Sequence, residues 1–225
     1  MWNNYFFQIQ KKYSMRLSLV KPLVIRLDGK DITKNSKINI MDEYKGSFLD
    51  ALKKTAKYFS EKYHCLSILG SDEISFIIFD PNIAINDLEP NDKTNYSNEI
   101  IAMFSQYFYN YFNSIFKLGN VFWHAKCFSI NEDKVVSYLK YRSRIIENVL
   151  VTYFLKKKND NIQDEKLNDK IKRTEKYKDY IALQRIQHGI LYLDGKQIDL
   201  QDYIENNKTT CLDADKNVEV ELVDF

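Results

Sequence analysis

The chain has 225 residues, 44% of them hydrophobic and 14% aromatic, which is enough apolar side chain for one packed domain and excludes an intrinsically disordered protein. Its net charge is only +2, so overall charge assigns it to neither a strongly basic nor a strongly acidic class. No stretch approaches the ~18 consecutive apolar residues of a transmembrane helix, and residues 1–13 lack the apolar core of a signal peptide, so we expect a single soluble domain spanning residues 1–225.

A strand and a helix are predicted first. Residues 21–27 (KPLVIRL) form a short apolar run that ends at Asp28-Gly29, a pattern typical of a buried strand that meets a turn. From Ser47 onward, apolar residues recur every three to four positions as far as Tyr63. This spacing predicts an amphipathic helix with Ser47 as its N-cap.

A hairpin and a second helix follow. Residues 65–69 and 74–79 are two β-like runs separated by the four residues Gly-Ser-Asp-Glu, a length suited to a hairpin. Residues 80–97 are polar and predict a loop. A long helix with one broad apolar face is expected from Ile100 to Ile115, and residues 121–128 predict a fourth strand.

The remainder of the chain predicts helices and a final β structure. Asn131 is the expected cap of a third helix. Its predicted buried side consists of Val135, Leu139, Ile146 and Leu150. Residues 156–185 carry ten basic and six acidic side chains and predict solvent-facing helices broken near Asn159. Two β-like runs, residues 189–198 and 217–223, close the chain.

The order of these elements defines the expected fold class. Up to residue 128 the order is β-α-β-β-α-β, the split βαβ arrangement of ferredoxin-like domains. The same α+β arrangement builds the palm of many polymerases and nucleotide cyclases, so it permits a function without proving one. We expect a palm core at about residues 21–130, elaborated by the helices and hairpin of about residues 131–225.

Two acidic segments carry the candidate chemistry. Asp28 follows the first strand, and Asp72-Glu73 lies at the tip of the hairpin, which neighbours that strand in a split βαβ sheet. Both segments are also common turn sequences, and either alone is explained by turn formation. Together they match the requirements of nucleotidyl transfer. In that reaction two magnesium ions, held by carboxylate oxygens, activate the attacking oxygen and neutralise the leaving phosphate.

Longer stretches carry a resemblance to a known family. RLDGK (residues 26–30) and GSDEISFIIF (residues 70–79) resemble the two acidic signatures of the tRNA-His guanylyltransferase family and its tRNA 5′-end repair relatives. FWHAKCFSINEDKVVSYLKYRSR (residues 122–144) is similar to the family's strand and helix with a Trp-Arg-Gln motif. QRIQHGILYLDG (residues 184–195) is similar to the segment that begins its last hairpin.

The resemblance implies a function and a set of site residues. It implies a magnesium-dependent nucleotidyltransferase that adds GTP- or ATP-derived nucleotides to the 5′ end of tRNA or a tRNA-like RNA, using two Mg²⁺ ions. Asp28, Asp72 and the carbonyl group of Gly29 would bind the metal, and Glu73 would be a further catalytic acid. The implied nucleotide-binding residues are Asp28, Gly29, Lys30, Asp31, Ile32, Thr33, Ser71, Asp72, Lys45 and Arg142.

The sequence also departs from the family's pattern. Asp31-Ile32-Thr33 stands where the family usually has Gly-Phe-His, and Asn98-Glu99 stands where it has a Ser-Lys pair. Tyr141-Arg142-Ser143 stands for Trp-Arg-Gln. The metal-binding acids are retained while much of the surrounding substrate shell differs.

Two other functions remain open on the sequence alone. The chain could be a palm-type synthase of a signal nucleotide, although it lacks a Gly-Gly-Asp-Glu-Phe signature. It could also be a nucleotide-responsive RNA-binding protein that has lost catalysis.

Three scattered cysteines without a CxxC pair predict reduced thiols in the cytoplasm. The expected partners are tRNA or another structured RNA and a nucleoside triphosphate, with no membrane partner and with a homodimer or homotetramer left open.

Overall fold

Alternating strands and helices account for most of the described chain. The computed structural model describes residues 17–30, 32, 44–88, 97–117, 119–160, 165–177, 180 and 186–207, and at residues 44–47 only the backbone. The strands are β1 (Leu23–Gly29), β2 (Leu66–Gly70), β3 (Glu73–Ile78), β4 (Trp123–Ser129), β5 (Ile190–Leu193) and β6 (Lys196–Ile198). The helices are α1 (Tyr44–Lys62), α2 (Pro81–Leu88), α3 (Ser97–Ile115), α4 (Val135–Lys157), α5 (Leu167–Thr174) and α6 (Leu200–Asn206).

The six strands form one antiparallel sheet in the order β4-β1-β3-β2-β5-β6. The first four strands have the order 4-1-3-2 of a split βαβ unit, which confirms the predicted palm-like fold class. The hairpin of β5 and β6 does not stand apart from this unit, because β5 pairs with β2 and extends the same sheet.

The two faces of the sheet pack against different helices because successive strand residues point in opposite directions. In β1, Leu23, Ile25 and Leu27 lie in the cluster formed with α1 and α3, while Val24 lies in the cluster formed with α4. The first cluster is rich in aromatic rings, with Phe59 in edge or tilted contact with several of them. Arg26 and Asp28 therefore share the α4 face of the sheet with Val24.

The third helix was predicted well along its buried side and wrongly at its start. Val135, Leu139, Ile146 and Leu150 are all buried, as expected. Asn131 does not cap the α-helix: it precedes a single 3₁₀ turn (Glu132–Lys134) and makes no capping hydrogen bond with its side chain. Likewise, α1 begins at Tyr44, so Ser47 is not its N-cap. Capping preferences are local, whereas the position at which a helix begins also depends on the packing of its apolar side.

The remaining predictions have mixed outcomes. Residues 80–97 are not all loop, because α2 begins at Pro81 and the carboxylate of Asp80 accepts a 3.0 Å hydrogen bond from the backbone N–H of Asn82. The break near Asn159 is confirmed: α4 ends at Lys157, and Asn159 has a φ of +56°. The β-like run at residues 217–223 lies outside the described residues. Among the described residues, no helix has the length and apolar character needed to cross a membrane.

Candidate active site

The two acidic segments meet at one edge of the sheet. Asp28 of β1 is the register partner of Glu73 at the start of β3. Beyond this pair, the backbone N–H of Gly29 donates a 2.8 Å hydrogen bond to the carbonyl oxygen of Asp72. The antiparallel pairing of β1 and β3 thus brings together residues more than forty positions apart, as their strand-end positions predicted.

Gly29 allows this close approach of the two turns. A Cβ at this position would lie 2.6 Å from Cγ1 of Ile32 and 3.2 Å from the carbonyl oxygen of Asp72. Because real Cβ atoms do not approach other atoms to 2.6 Å, any larger residue would displace Ile32. The side chain of Ile32 is only 2% exposed and belongs to the core.

The hairpin tip holds Asp72 in an unusual electrostatic environment. Ser71 has a φ of +56°, and its hydroxyl group donates a 3.0 Å hydrogen bond to Oδ1 of Asp72. Burial raises the pKa of Asp72 to about 6, and the negative charges of Asp28 and Glu73 add to the rise while the Ser71 hydrogen bond opposes it. Asp72 is thus a carboxyl group near a second carboxylate, an arrangement that a bound cation would stabilise.

Glu73 is bound by two arginines. Arg142 of α4, which is 4% exposed, donates from Nε to Oε1 of Glu73 at 3.0 Å and from Nη2 to Oε2. Nη2 of Arg26 donates to Oε2 of Glu73 at 3.0 Å and to Oδ2 of Asp28 at 2.8 Å. Arg26 therefore bridges the two acidic segments, while Arg142 ties the start of β3 to the middle of α4.

Arg26 is the site residue that sequence reasoning did not select. The signal was present, because residues two apart on a strand point to the same face and Arg26 precedes Asp28 by two. The same rule, with the register of β1 and β4, places Lys126 opposite Arg26 and His124 opposite Asp28. Both are exposed, so this part of the sheet's α4 face is open and carries basic side chains.

The donor set fits magnesium when the substrate supplies further ligands. Among the described residues there is no group of three or more His, Cys, Asp or Glu side chains arranged to hold a metal ion. Beside Glu73, which both arginines bind, lie the carboxylate of Asp72 and that of Asp28, whose Oδ2 accepts from Arg26. Magnesium is commonly held by one or two carboxylates together with water and phosphate oxygens, so two carboxylates are sufficient.

The other predicted nucleotide-binding residues are only partly described. Lys30 is exposed directly after Gly29, and its backbone N–H donates a 2.8 Å hydrogen bond to the carbonyl oxygen of Phe122. Asp31 and Thr33 lie outside the described residues, and Lys45 is described only as backbone in the first turn of α1. The side chain of Arg142 is engaged with Glu73, as given above.

Comparison with known proteins identifies the fold. Neither a protein-family model nor a curated protein matches the sequence. A bacterial tRNA(His) guanylyltransferase-like protein in complex with ATP is 16% identical, with a TM-score of 0.67, over 92% of this chain and 99% of its own. A bacterial protein of the same description in complex with GTP is 14% identical, with a TM-score of 0.66, over 92% of this chain and 97% of its own.

A eukaryotic structure shows the same likeness. The tRNA(His) guanylyltransferase from Saccharomyces cerevisiae is 16% identical, with a TM-score of 0.53, over 85% of this chain and 93% of its own. At these identities the likeness establishes the fold, which is therefore the one that the sequence motifs predicted. Function depends on the site that the fold carries.

Proposed function

We propose that this chain is a magnesium-dependent nucleotidyltransferase that adds nucleotides to the 5′ end of tRNA or a tRNA-like RNA. The observation that carries the proposal is the meeting of the Asp28-Gly29 turn with the Ser71-Asp72 turn. The shared fold with guanylyltransferase-like structures, two of them in complex with ATP or GTP, supports nucleotides as substrates.

Asp28, Asp72 and the carbonyl group of Gly29 are the residues proposed to hold two Mg²⁺ ions. When bound, these ions would neutralise the triphosphate and lower the pKa of the attacking oxygen. In nucleotidyl transfer, that oxygen forms a new bond to phosphorus while the bond to the leaving pyrophosphate breaks. The nearness of Asp72 to the negative charge of Asp28 supports a cation at this position, because a cation beside two carboxylates offsets their mutual repulsion.

The surrounding cations are proposed to position the site and the substrate. Arg26 and Arg142 bind Glu73, which fixes the start of β3 and so the orientation of the Asp72 turn. In this proposal Glu73 supports the metal-binding turn, and its role as a further catalytic acid stays a prediction. The exposed side chain of Lys30, beside the same turn, is the proposed contact for triphosphate oxygens.

The test is a transfer assay with matched substitutions. The purified protein is incubated with tRNA, labelled GTP or ATP and Mg²⁺, with EDTA as a control. Asp28→Asn and Asp72→Asn should abolish labelling of the RNA. Asp80→Asn, an exposed aspartate at the other end of β3, should not.

The products distinguish the alternatives. Labelled RNA supports the proposal, and a small labelled product in its place indicates a synthase of a signal nucleotide. Binding of RNA and nucleotide with no product indicates a protein that has lost catalysis. Normal labelling by both Asp28→Asn and Asp72→Asn would refute the assignment of the site.

A further inference from the structure

Tyr141 presents an exposed aromatic ring at the rim of the candidate active site. The residue is 58% exposed, and the centre of its ring lies 5.4 Å from the guanidinium carbon of Arg142. That guanidinium group is hydrogen-bonded to Glu73, which follows Asp72 in the chain and pairs with Asp28 across the sheet. Two side chains, those of Arg142 and Glu73, therefore lie between the ring and the acidic turns.

A groove extends from Tyr141 along the outer side of α4. Tyr141, Arg144 and Asn148 are three to four residues apart, so they lie along one side of the helix. Together with Lys170 of α5 they line a groove of about 360 Å³. Since a helix rises 1.5 Å per residue, the seven steps from Tyr141 to Asn148 span roughly 10 Å.

The groove presents two cations. The side chain of Arg144 is 59% exposed; it donates to the side chain of Asn168 at 3.1 Å and contacts the carboxylate of Glu147 at 3.4 Å. Nζ of Lys170 donates to the side chain of Asn148 at 3.2 Å. Among the described residues that line the groove there is one carboxylate, that of Glu165, which is ion-paired with an arginine outside the lining. The lining therefore carries two cationic side chains, of which Arg144 has Glu147 as an ion-pair partner, and one ion-paired carboxylate.

We propose that this groove binds a single-stranded end of the RNA substrate, with Tyr141 stacking on the base nearest the acidic turns. Arg144 and Lys170 contact phosphates of the nucleotides beyond it. Aromatic rings that stack on bases beside cations that contact the backbone are the means by which proteins bind single strands without regard to sequence. The inference rests on the proposed function, since it takes RNA as the substrate of the Asp28–Asp72 site.

An RNA strand fits the groove better than a free nucleotide does. The base of a single nucleotide covers the Tyr141 ring, but the groove continues for roughly 10 Å along α4. The two cations lie along this continuation. In the proposed function the triphosphate of a bound nucleotide lies at Asp28, Asp72 and Lys30, so Arg144 and Lys170 are left for the phosphates of a strand.

The test measures directly whether a base of the RNA stacks on the ring of Tyr141. The full-length protein is titrated with a hairpin RNA that has a single-stranded 5′ overhang. The 5′-terminal base of the overhang is 2-aminopurine, whose fluorescence is quenched by stacking. The native protein and Tyr141→Phe, which keeps the ring, should both quench the fluorescence. Tyr141→Leu should abolish the quenching and weaken RNA binding roughly 5- to 150-fold, which corresponds to ~1–3 kcal/mol per stacked base.

A second variant tests the phosphate contacts. Arg144→Gln should weaken RNA binding and reduce the slope of log affinity against log salt by about 0.7–0.9, the value for one phosphate contact. Equal quenching and affinity in the native protein and Tyr141→Leu would overturn the proposal. Absence of quenching in the native protein would overturn it as well.

Titration with GTP shows whether the base that stacks on Tyr141 belongs to the RNA or to a bound nucleotide. If Tyr141→Leu weakens binding of GTP in Mg²⁺ but leaves RNA quenching unchanged, the stacked base belongs to the nucleotide and the RNA assignment is wrong. Quenching needs no turnover, so Tyr141-dependent quenching without labelled RNA product would refute the proposed activity and leave the groove assignment standing. Labelled RNA product with quenching independent of Tyr141 would refute the groove assignment alone.

Discussion

Replacing Arg142 by methionine would show how far the buried ion pair with Glu73 supports the site. Glu73 is 6% exposed and, within the part of the chain that the structure describes, accepts three charge-assisted hydrogen bonds, two from Arg142 and one from Arg26. The substitution removes two of the three and leaves the carboxylate buried. Breaking a buried ion pair in this way costs about 3–5 kcal/mol.

The assay is equilibrium unfolding followed by circular dichroism. For a domain of this size each kcal/mol lowers Tm by about 2–4 °C, so Arg142→Met should lower Tm by roughly 6–20 °C. Arg142→Lys keeps the charge but loses the paired geometry of the guanidinium group, and it should lie between the native protein and Arg142→Met. The rate of nucleotide transfer should fall in the same order, because a shift of β3 would also shift the Asp72 turn that precedes it.

A double-mutant cycle decides whether the two side chains interact as described. Glu73→Gln combined with Arg142→Met removes both charges, so the double variant should be less destabilised than the sum of the two single variants. A coupling energy above about 0.5 kcal/mol supports the pair. Additive effects, or an Arg142→Met variant with native stability, would refute the reasoning.

Three further predictions concern the acidic turns. Asp28→Asn and Asp72→Asn should each lower the transfer rate at least ~10³-fold in single-turnover assays, while Tm stays within a few degrees of that of the native protein. Near-native transfer rates in both variants would contradict the assignment of these residues as metal ligands. Gly29→Ala should lower the free energy of unfolding by about 1–3 kcal/mol, because the new Cβ clashes with Ile32. The double variant with Ile32→Ala should be destabilised by less than the sum of the two single variants. A strictly additive loss of stability would show that no clash exists. Lys30→Ala should weaken GTP binding in Mg²⁺ by ~1–3 kcal/mol by calorimetry, the scale of a charge-assisted hydrogen bond, and unchanged affinity would indicate that the triphosphate lies elsewhere.

Where a helical period or a pair of apolar runs was present, the sequence predicted elements reliably. The apolar spacing from Phe48 to Tyr63 predicted α1, and the two β-like runs on either side of Gly70-Ser71-Asp72-Glu73 predicted the β2–β3 hairpin. These predictions hold because burial of one helix stripe imposes a period on the sequence, and strands buried on both faces, as β2 and β3 are, form short continuous apolar runs.

Local signals were less reliable where no period supported them. Residues 80–97 are polar overall, so they were predicted to be a loop. They nevertheless contain a helix-start signal for α2, which is an aspartate at the cap followed by Pro81 in the first turn. Asn131 is a good capping residue by type, yet the chain forms a 3₁₀ turn there before α4 begins.

The sequence by itself determined the order of the first four strands and of the two long helices between them, and it placed Asp28 and Asp72 at strand ends. It could do so because hydrophobic period and turn residues are local properties of the chain. Only the tertiary structure decided the partners of those acids. Arg142 meets Glu73 across 69 residues, and this contact depends on how α4 packs against the sheet. No local pattern encodes that packing, since it depends on the combined fit of side chains from β1, β3 and α4. The meeting of the two acidic segments could therefore be predicted from the sequence, whereas the contacts of Arg26 and Arg142 with Glu73 became visible only in the folded chain.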